Sequence, residues 1–249
     1  MGRSEARGPR EAPAREDAPG AGGRPYTFVN MAMSADGKIS SVARRQVRIS
    51  GPEDRERVDR LKAGSDAVMV GIGTVLADDP SLTVKSAELR KVRVLGGKPE
   101  NPVRIVVDSR GRTPVTAEIL HKGTGDRIIA VSERAGTEAA VRFRGIAEVL
   151  VAGREEVDLP LLMGRLHDLG IRRLMVEGGG TLICSLFASC LVDEFTTYVG
   201  SLVIGGRDAP TPVDGPGFPG GNEFVRLSLT DVQEVDEGVV LRWRVRNRR

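Results

Sequence analysis

Large apolar side chains are almost missing from residues 1–24, a stretch of Gly, Pro, Ala, Arg and Glu without periodicity. Such a segment buries too little surface to offset its ordering entropy and reads as a disordered extension. The pattern changes at Pro25. Residues 26–31 form a first strand, and residues 53–63 a helix with Gly51-Pro52 at its start, where Ser50 or Gly51 caps and Pro52 fits the first turn. Short apolar runs at 67–70 and 103–107 are buried strands, and 127–131 and 148–151 follow, with a short helix around 138–143 between them. A helix over 159–169 stops at Gly170, and a strand at 173–176 runs through Glu177-Gly178-Gly179-Gly180 into a helix reaching about residue 188. From Glu194 onward the pattern is strand only: 195–199, 224–235 and 239–245, with a hairpin turn at Glu237-Gly238.

Strands alternating with helices predict an α/β fold whose mostly parallel, doubly wound sheet carries helices on both faces. The strand-rich tail predicts an antiparallel C-terminal edge. Residues 25–249 form one folded domain in this reading, and no internal repeat is visible.

Composition narrows the function. Of 249 residues, 40% are hydrophobic and 29% charged, an ordinary globular balance, and no apolar run approaches a membrane span. The basic N-terminus lacks an apolar core, so no signal peptide is read and a cytoplasmic location is expected. Cys184 and Cys190 are read as reduced thiols on different faces of one helix. Five arginines at 242, 244, 246, 248 and 249 alternate with Leu241, Trp243 and Val245. With two Tyr and one Trp there is little stacking surface, so these read as the solvated face of an edge strand rather than a nucleic-acid contact.

The inventory also excludes chemistries. His121 and His167 have no Cys or His at metal-ligand spacing, so no metal site is expected and a zinc deaminase signature is absent. There is no nucleophile elbow and no Walker loop. What remains is a Gly-rich turn between strand and helix, Glu177-Gly178-Gly179-Gly180-Thr181. Glycines permit close approach, and the helix N-terminus offers free N–H groups to a phosphate. Glu177 lies at a strand's carboxyl end, where open sheets bind ligands. A second turn, Gly71-Ile72-Gly73-Thr74, leads to Asp78-Asp79-Pro80, which either stops a helix or holds sugar hydroxyls. At the end of 103–107, Arg110 or Arg112 could accept a 2′-phosphate.

Together these motifs resemble the riboflavin-specific reductase family. The resemblance is carried by Asn30-Met31-Ala32-Met33-Ser34-Ala35-Asp36-Gly37-Lys38, Ile49 to Glu53, Gly71 to Thr83, Val103 to Arg110, Glu177 to Thr181, Leu191 to Glu194 and Ile204 to Thr211. It is greatest to the stand-alone archaeal type. It implies a dihydrofolate-reductase-like fold, NADPH as cofactor and a homodimer. The implied reaction reduces the ribosyl group of 2,5-diamino-6-ribosylamino-4(3H)-pyrimidinone 5′-phosphate to the ribityl form, or performs the same reduction on the deaminated uracil-type substrate. By matching position, Ala32, Thr74, Asp78, Ser109, Gly179, Gly180 and Thr181 are expected at the cofactor, joined by Gly178 of the Gly-rich turn and by Arg110 as a 2′-phosphate acceptor. Lys62, Leu82, Lys85 and Glu177 are expected at the substrate, and Lys38 and Glu177 at the reaction centre. The family pattern most often has arginine at 62 and 85; lysine still serves as a point charge. Asp36 beside Lys38 reads as an ordinary Asp-Gly turn.

Overall fold

The computed structural model describes residues 22–45, 47–220 and 223–246. The expected extension lies outside these up to residue 21, as do Arg248 and Arg249. Arg24, at the extension's inner end, is bound by both carboxylate oxygens of Asp193, at 2.7 and 2.6 Å.

Nine strands form one sheet. In chain order they are β1 (Tyr26–Ser34), β2 (Ala67–Gly71), β3 (Val103–Val107), β4 (Arg127–Val131), β5 (Glu148–Val151), β6 (Arg173–Val176), β7 (Glu194–Gly200), β8 (Leu227–Val235) and β9 (Gly238–Val245). Their spatial order is β5-β4-β3-β2-β6-β1-β7-β9-β8. All pairs from β5 to β7 are parallel; β7–β9 and β9–β8 are antiparallel. This is the doubly wound, mostly parallel sheet with an antiparallel C-terminal edge that the sequence predicts.

Alternation along the central strands builds two cores. Ala67 and Met69 face one layer with Leu162, Met163 and Leu166 of α6 (Leu159–Asp168) and Ile183 and Leu186 of α7 (Gly180–Ala188). Val68 and Val70 face the other layer with Ile72 and Val75 of α2 (Ile72–Asp78) and Phe143 after α5 (Glu133–Arg142). All four β2 residues from Ala67 to Val70 are 0% exposed, each larger side chain contributing roughly 1.5–3 kcal/mol by leaving water. The helix α6 follows from its sequence: Asp158 accepts from the Leu161 N–H as N-cap, and Leu159, Leu162, Met163 and Leu166 make the buried stripe.

Several expectations need correction. The helix α1 (Pro52–Ala63) does have Gly51, one of the two residues expected there, as its N-cap, but without a side-chain hydrogen bond. The carboxylate of Asp236, in the β8–β9 turn, accepts from the N–H groups of Glu53 and Asp54 instead. Three helices are additional: α2, α3 (Ala87–Leu95) and α4 (Glu118–His121). The hairpin turn is Asp236-Glu237 rather than Glu237-Gly238, because Val235 pairs with Gly238 and Asp236 takes the left-handed conformation at φ 52°. Cys190 stands beyond the end of α7, with φ 56°, so the two cysteines do not share a helix. The basic strand β9 lies inside the sheet, and β8 is the edge. Its Arg242 pairs with Glu194 and Asp231, at 3.6 and 3.8 Å.

Candidate active site

The strand order places β6 between β2 and β1, so the chain reverses its winding direction there. Ligands of open α/β sheets bind at the carboxyl ends of strands at such a point. A cleft of about 630 Å³ opens there, lined by the ends of β2 and β3 and the first turns of α2 and α7. That volume suits a small-molecule or cofactor site.

The Gly-rich turn forms one wall. Gly179 caps α7, and the Gly180 and Gly71 backbones pack closely against their surroundings. A Cβ on Gly180 would stand 2.6 Å from the Thr211 carbonyl oxygen, so glycine lets the 211–214 loop close over the helix opening. Asp214 secures that loop by accepting from the Thr211 hydroxyl at 2.8 Å, while its N–H donates to the Gly180 carbonyl. Thr74 faces the same turn, its hydroxyl oxygen within 3.2–3.3 Å of where side chains on Gly178 and Gly179 would start. Across the cleft, Asp78 is held above the ordinary aspartate pKa by burial. The wall after β3 carries Ser109, Arg110 and Arg112. The Ser109 hydroxyl oxygen accepts from the Val157 N–H at 3.0 Å, leaving its own hydrogen available to an incoming acceptor.

Of the residues expected at a cofactor, Thr74, Asp78, Ser109, Arg110, Gly179, Gly180 and Thr181 line this cleft. Ala32 and Gly178 do not; Ala32 lies in β1, paired with Tyr198 of β7, and Gly178 sits one residue before the lining turn. The lining also includes Arg44, Glu156, Ser185 and Asp214, which carried no motif signal because they come from four separate segments.

The expected substrate residues gather beside the turn. Glu177, at the end of β6, pairs through Oε2 with Lys62 Nζ at 3.1 Å, the two side chains being 15% and 14% exposed. Its Oε1 is buried without a hydrogen-bond partner, a costly state that an incoming donor would relieve. Lys85 donates to the hydroxyls of Ser81 and Thr83, at 2.6 and 2.9 Å. Burial, then the positive charge of Lys62 and of Lys122, lowers its pKa below the ordinary lysine value. A cation held by hydroxyls and pressed by other cations is arranged for an anion. Asp59 of α1 fixes this lysine by accepting from the backbone N–H groups of Lys85 and Ser86, both at 2.7 Å. Leu82 differs: its side chain is 4% exposed in the core, with φ 52°, so only its backbone can face a ligand.

Lys38 has a backbone partner of its own. Its Nζ donates to the Ala209 carbonyl at 3.0 Å, at the loop that closes over α7. Asp36 is indeed structural: it accepts from Ser34 Oγ and from the Ile204 and Gly205 N–H groups, which bring its carboxyl down to about 2.

A doubly wound sheet with a glycine cradle, a cleft where its winding reverses and an adjoining acid–lysine cluster is the arrangement of an α/β ligand-binding fold. The model of the RibD C-terminal domain matches residues 25–241, and the chain belongs to that family. It is 54% identical over 215 residues to the 2,5-diamino-6-ribosylamino-4(3H)-pyrimidinone 5′-phosphate reductase of Archaeoglobus fulgidus, covering 86% of this chain and 95% of that protein. To the protein of the same name from Methanothermobacter thermautotrophicus it is 45% identical, covering 90% and 99%. The fold superposes on Acinetobacter baumannii RibD with a TM-score of 0.73 at 28% identity, over 90% of this chain and 58% of that one.

Proposed function

We propose that this protein is the NADPH-dependent reductase that converts 2,5-diamino-6-ribosylamino-4(3H)-pyrimidinone 5′-phosphate to its ribityl form in riboflavin biosynthesis. The observation that carries the reading is the Lys62–Glu177–Lys85 cluster set against the glycine cradle. The names and identities of the two archaeal relatives support it.

Thr74, Gly179, Gly180 and Thr181 would hold the cofactor's pyrophosphate, Asp78 its sugar hydroxyls, and Ser109 with Arg110 and Arg112 the adenosine end. When bound, NADPH supplies the hydride that reduces C1′. The chain's own groups manage the anion and the protons. Lys62 and Lys85 attract the 5′-phosphate as point charges. Ring opening breaks the C1′–O4′ bond; its electron pair goes to O4′, which takes a proton, as the exocyclic nitrogen loses one and forms C1′=N. Glu177, paired with Lys62 through Oε2 and with Oε1 unengaged, would take the nitrogen's proton and return it to O4′. Lys38 acts on the closing loop through Ala209.

The same reading takes the protein as a cytoplasmic homodimer whose catalytic unit is residues 25–249. Two unbridged cysteines accord with a reducing compartment. The edge strand β8 exposes Leu229 and Val232, 50% and 53% accessible, as a surface a second copy could cover. Light scattering at working concentration tests the dimer. Transfer of label tests the chemistry: deuterium from reduced, C4-labelled NADPH is expected at C1′ of the ribityl product. Label found elsewhere, or exchanged with water, would reject direct reduction of that carbon.

A further inference from the structure

The turn after β3 contains a charge that the cofactor contacts alone do not explain. Asp108 is 0% exposed. Its Oδ2 accepts from the Thr113 N–H at 2.6 Å and the Thr113 hydroxyl at 2.8 Å. Its Oδ1 is buried and accepts no hydrogen bond. The cation facing that oxygen is Arg112, whose Nε stands 3.9 Å away while its side chain is 54% exposed and lines the cleft. A fully buried carboxylate is expensive unless paired, and here the pair spans the boundary between core and cleft.

The rest of the turn is rigid. The Ser132 N–H and hydroxyl both donate to the Ser109 carbonyl, the Asp108 N–H donates to Ala130, and Arg142 donates to the Gly111 carbonyl at 2.8 Å. The freedom left in this segment belongs to the arginine side chains. An arginine whose Nε side is nearest a carboxylate keeps its two terminal nitrogens as a planar fork, the geometry that binds a phosphate through two parallel hydrogen bonds.

We infer that Asp108 is a positioning residue for cofactor choice: the charge of its buried carboxylate draws the Nε edge of Arg112 toward it, so that the guanidinium fork is turned to the cleft and selects a ribose 2′-phosphate. The inference rests on the cofactor reading above and goes beyond it in assigning selectivity to a residue that touches no ligand. Arg110, which has no such partner behind it, contributes charge without orientation.

The test is calorimetric binding of two fragments, 2′,5′-ADP and 5′-AMP, to the full chain. The 2′-phosphate is the difference between them. In the native protein 2′,5′-ADP binds more tightly. In Asp108→Asn the carboxamide keeps an acceptor for Thr113 but cannot balance Arg112, and the preference for 2′,5′-ADP falls about tenfold or more while 5′-AMP affinity holds. Arg112→Lys, which keeps the charge and loses the fork, reproduces the fall and serves if the aspartate variant does not fold. Thr113→Val removes only the hydroxyl bond to Oδ2 and leaves the preference in place. Equal weakening of both fragments in Asp108→Asn, or an unchanged preference in Arg112→Lys, overturns the assignment. If the native protein binds neither fragment nor NADPH, the cofactor reading itself fails, a result distinct from the first two.

Discussion

At the scale of single residues, the substrate side is governed by how charge is held. Lys85 has a lowered pKa because burial and then Lys62 and Lys122 disfavour its charge. For a lysine, that means the folded state is penalised while the group is charged, and the penalty is relieved as pH rises through the lowered folded value toward the unfolded one. Phosphate binding needs the charged form. Substrate KM is therefore expected to climb on the alkaline side at a lower pH than an ordinary lysine would impose. Lys85→Arg, always charged, should flatten that climb, and Lys85→Met should raise KM about 10–100-fold at neutral pH. A KM that stays flat in the native enzyme through the ordinary lysine range would remove Lys85 from the phosphate site. Glu177 separates binding from chemistry: Glu177→Gln should lower kcat by about 10²–10⁴-fold, the usual worth of a positioned proton-transfer group. Steady-state kinetics showing a change in KM alone would make it a binding residue.

At the scale of elements, α1 organises the cluster. It displays Lys62 directly, and through Asp59 it fixes the backbone at Lys85. Its own first turn is capped by Asp236, from the far end of the chain. Asp236→Ala should cost about 1 kcal/mol, the usual worth of a helix cap, and lower Tm by roughly 2–4 °C, with a rise in substrate KM as Lys62 and Lys85 loosen together. Thermal melts beside kinetics check both effects, and an unchanged Tm would deny the cap any energetic role. This cap also shows what the sequence could and could not disclose. Proline and glycine marked where α1 starts, but a capping carboxylate supplied by a distant hairpin leaves no local trace. The helix α3 went unread for a related reason. Its Val92, Val94 and Leu95 are exposed, and the residue it buries is Arg93, which donates to the carbonyls of Ala63, Ser65 and Pro99. A helix whose apolar positions face outward and whose buried contact is an arginine offers no core-facing stripe to read. By contrast β2, β3 and β6 declared themselves, because buried parallel strands are continuous apolar runs.

At the scale of the molecule, the return of β6 into the middle of the sheet brings the Gly178–Gly180 turn beside the ends of β2 and β3, with Glu177 just ahead of that turn; the proposal makes Glu177 the border of two sites. In the proposed arrangement the cleft takes the cofactor and the lysine cluster takes the substrate. The glycine cradle, Thr74, Asp78 and Ser109 were legible as motifs, since each lies in the segment that leaves the carboxyl end of a strand. Arg44, Glu156 and Asp214 were not, since only the closed fold brings their segments to one cleft. This division makes the central claim a single reaction that requires both sides at once. The most direct test follows NADPH oxidation by absorbance with the diamino ribosylamino-pyrimidinone 5′-phosphate, run beside its deaminated counterpart. Oxidation is expected to be rapid with the diamino compound and slight with the deaminated one; absence of oxidation with the diamino compound would contradict the proposed reaction.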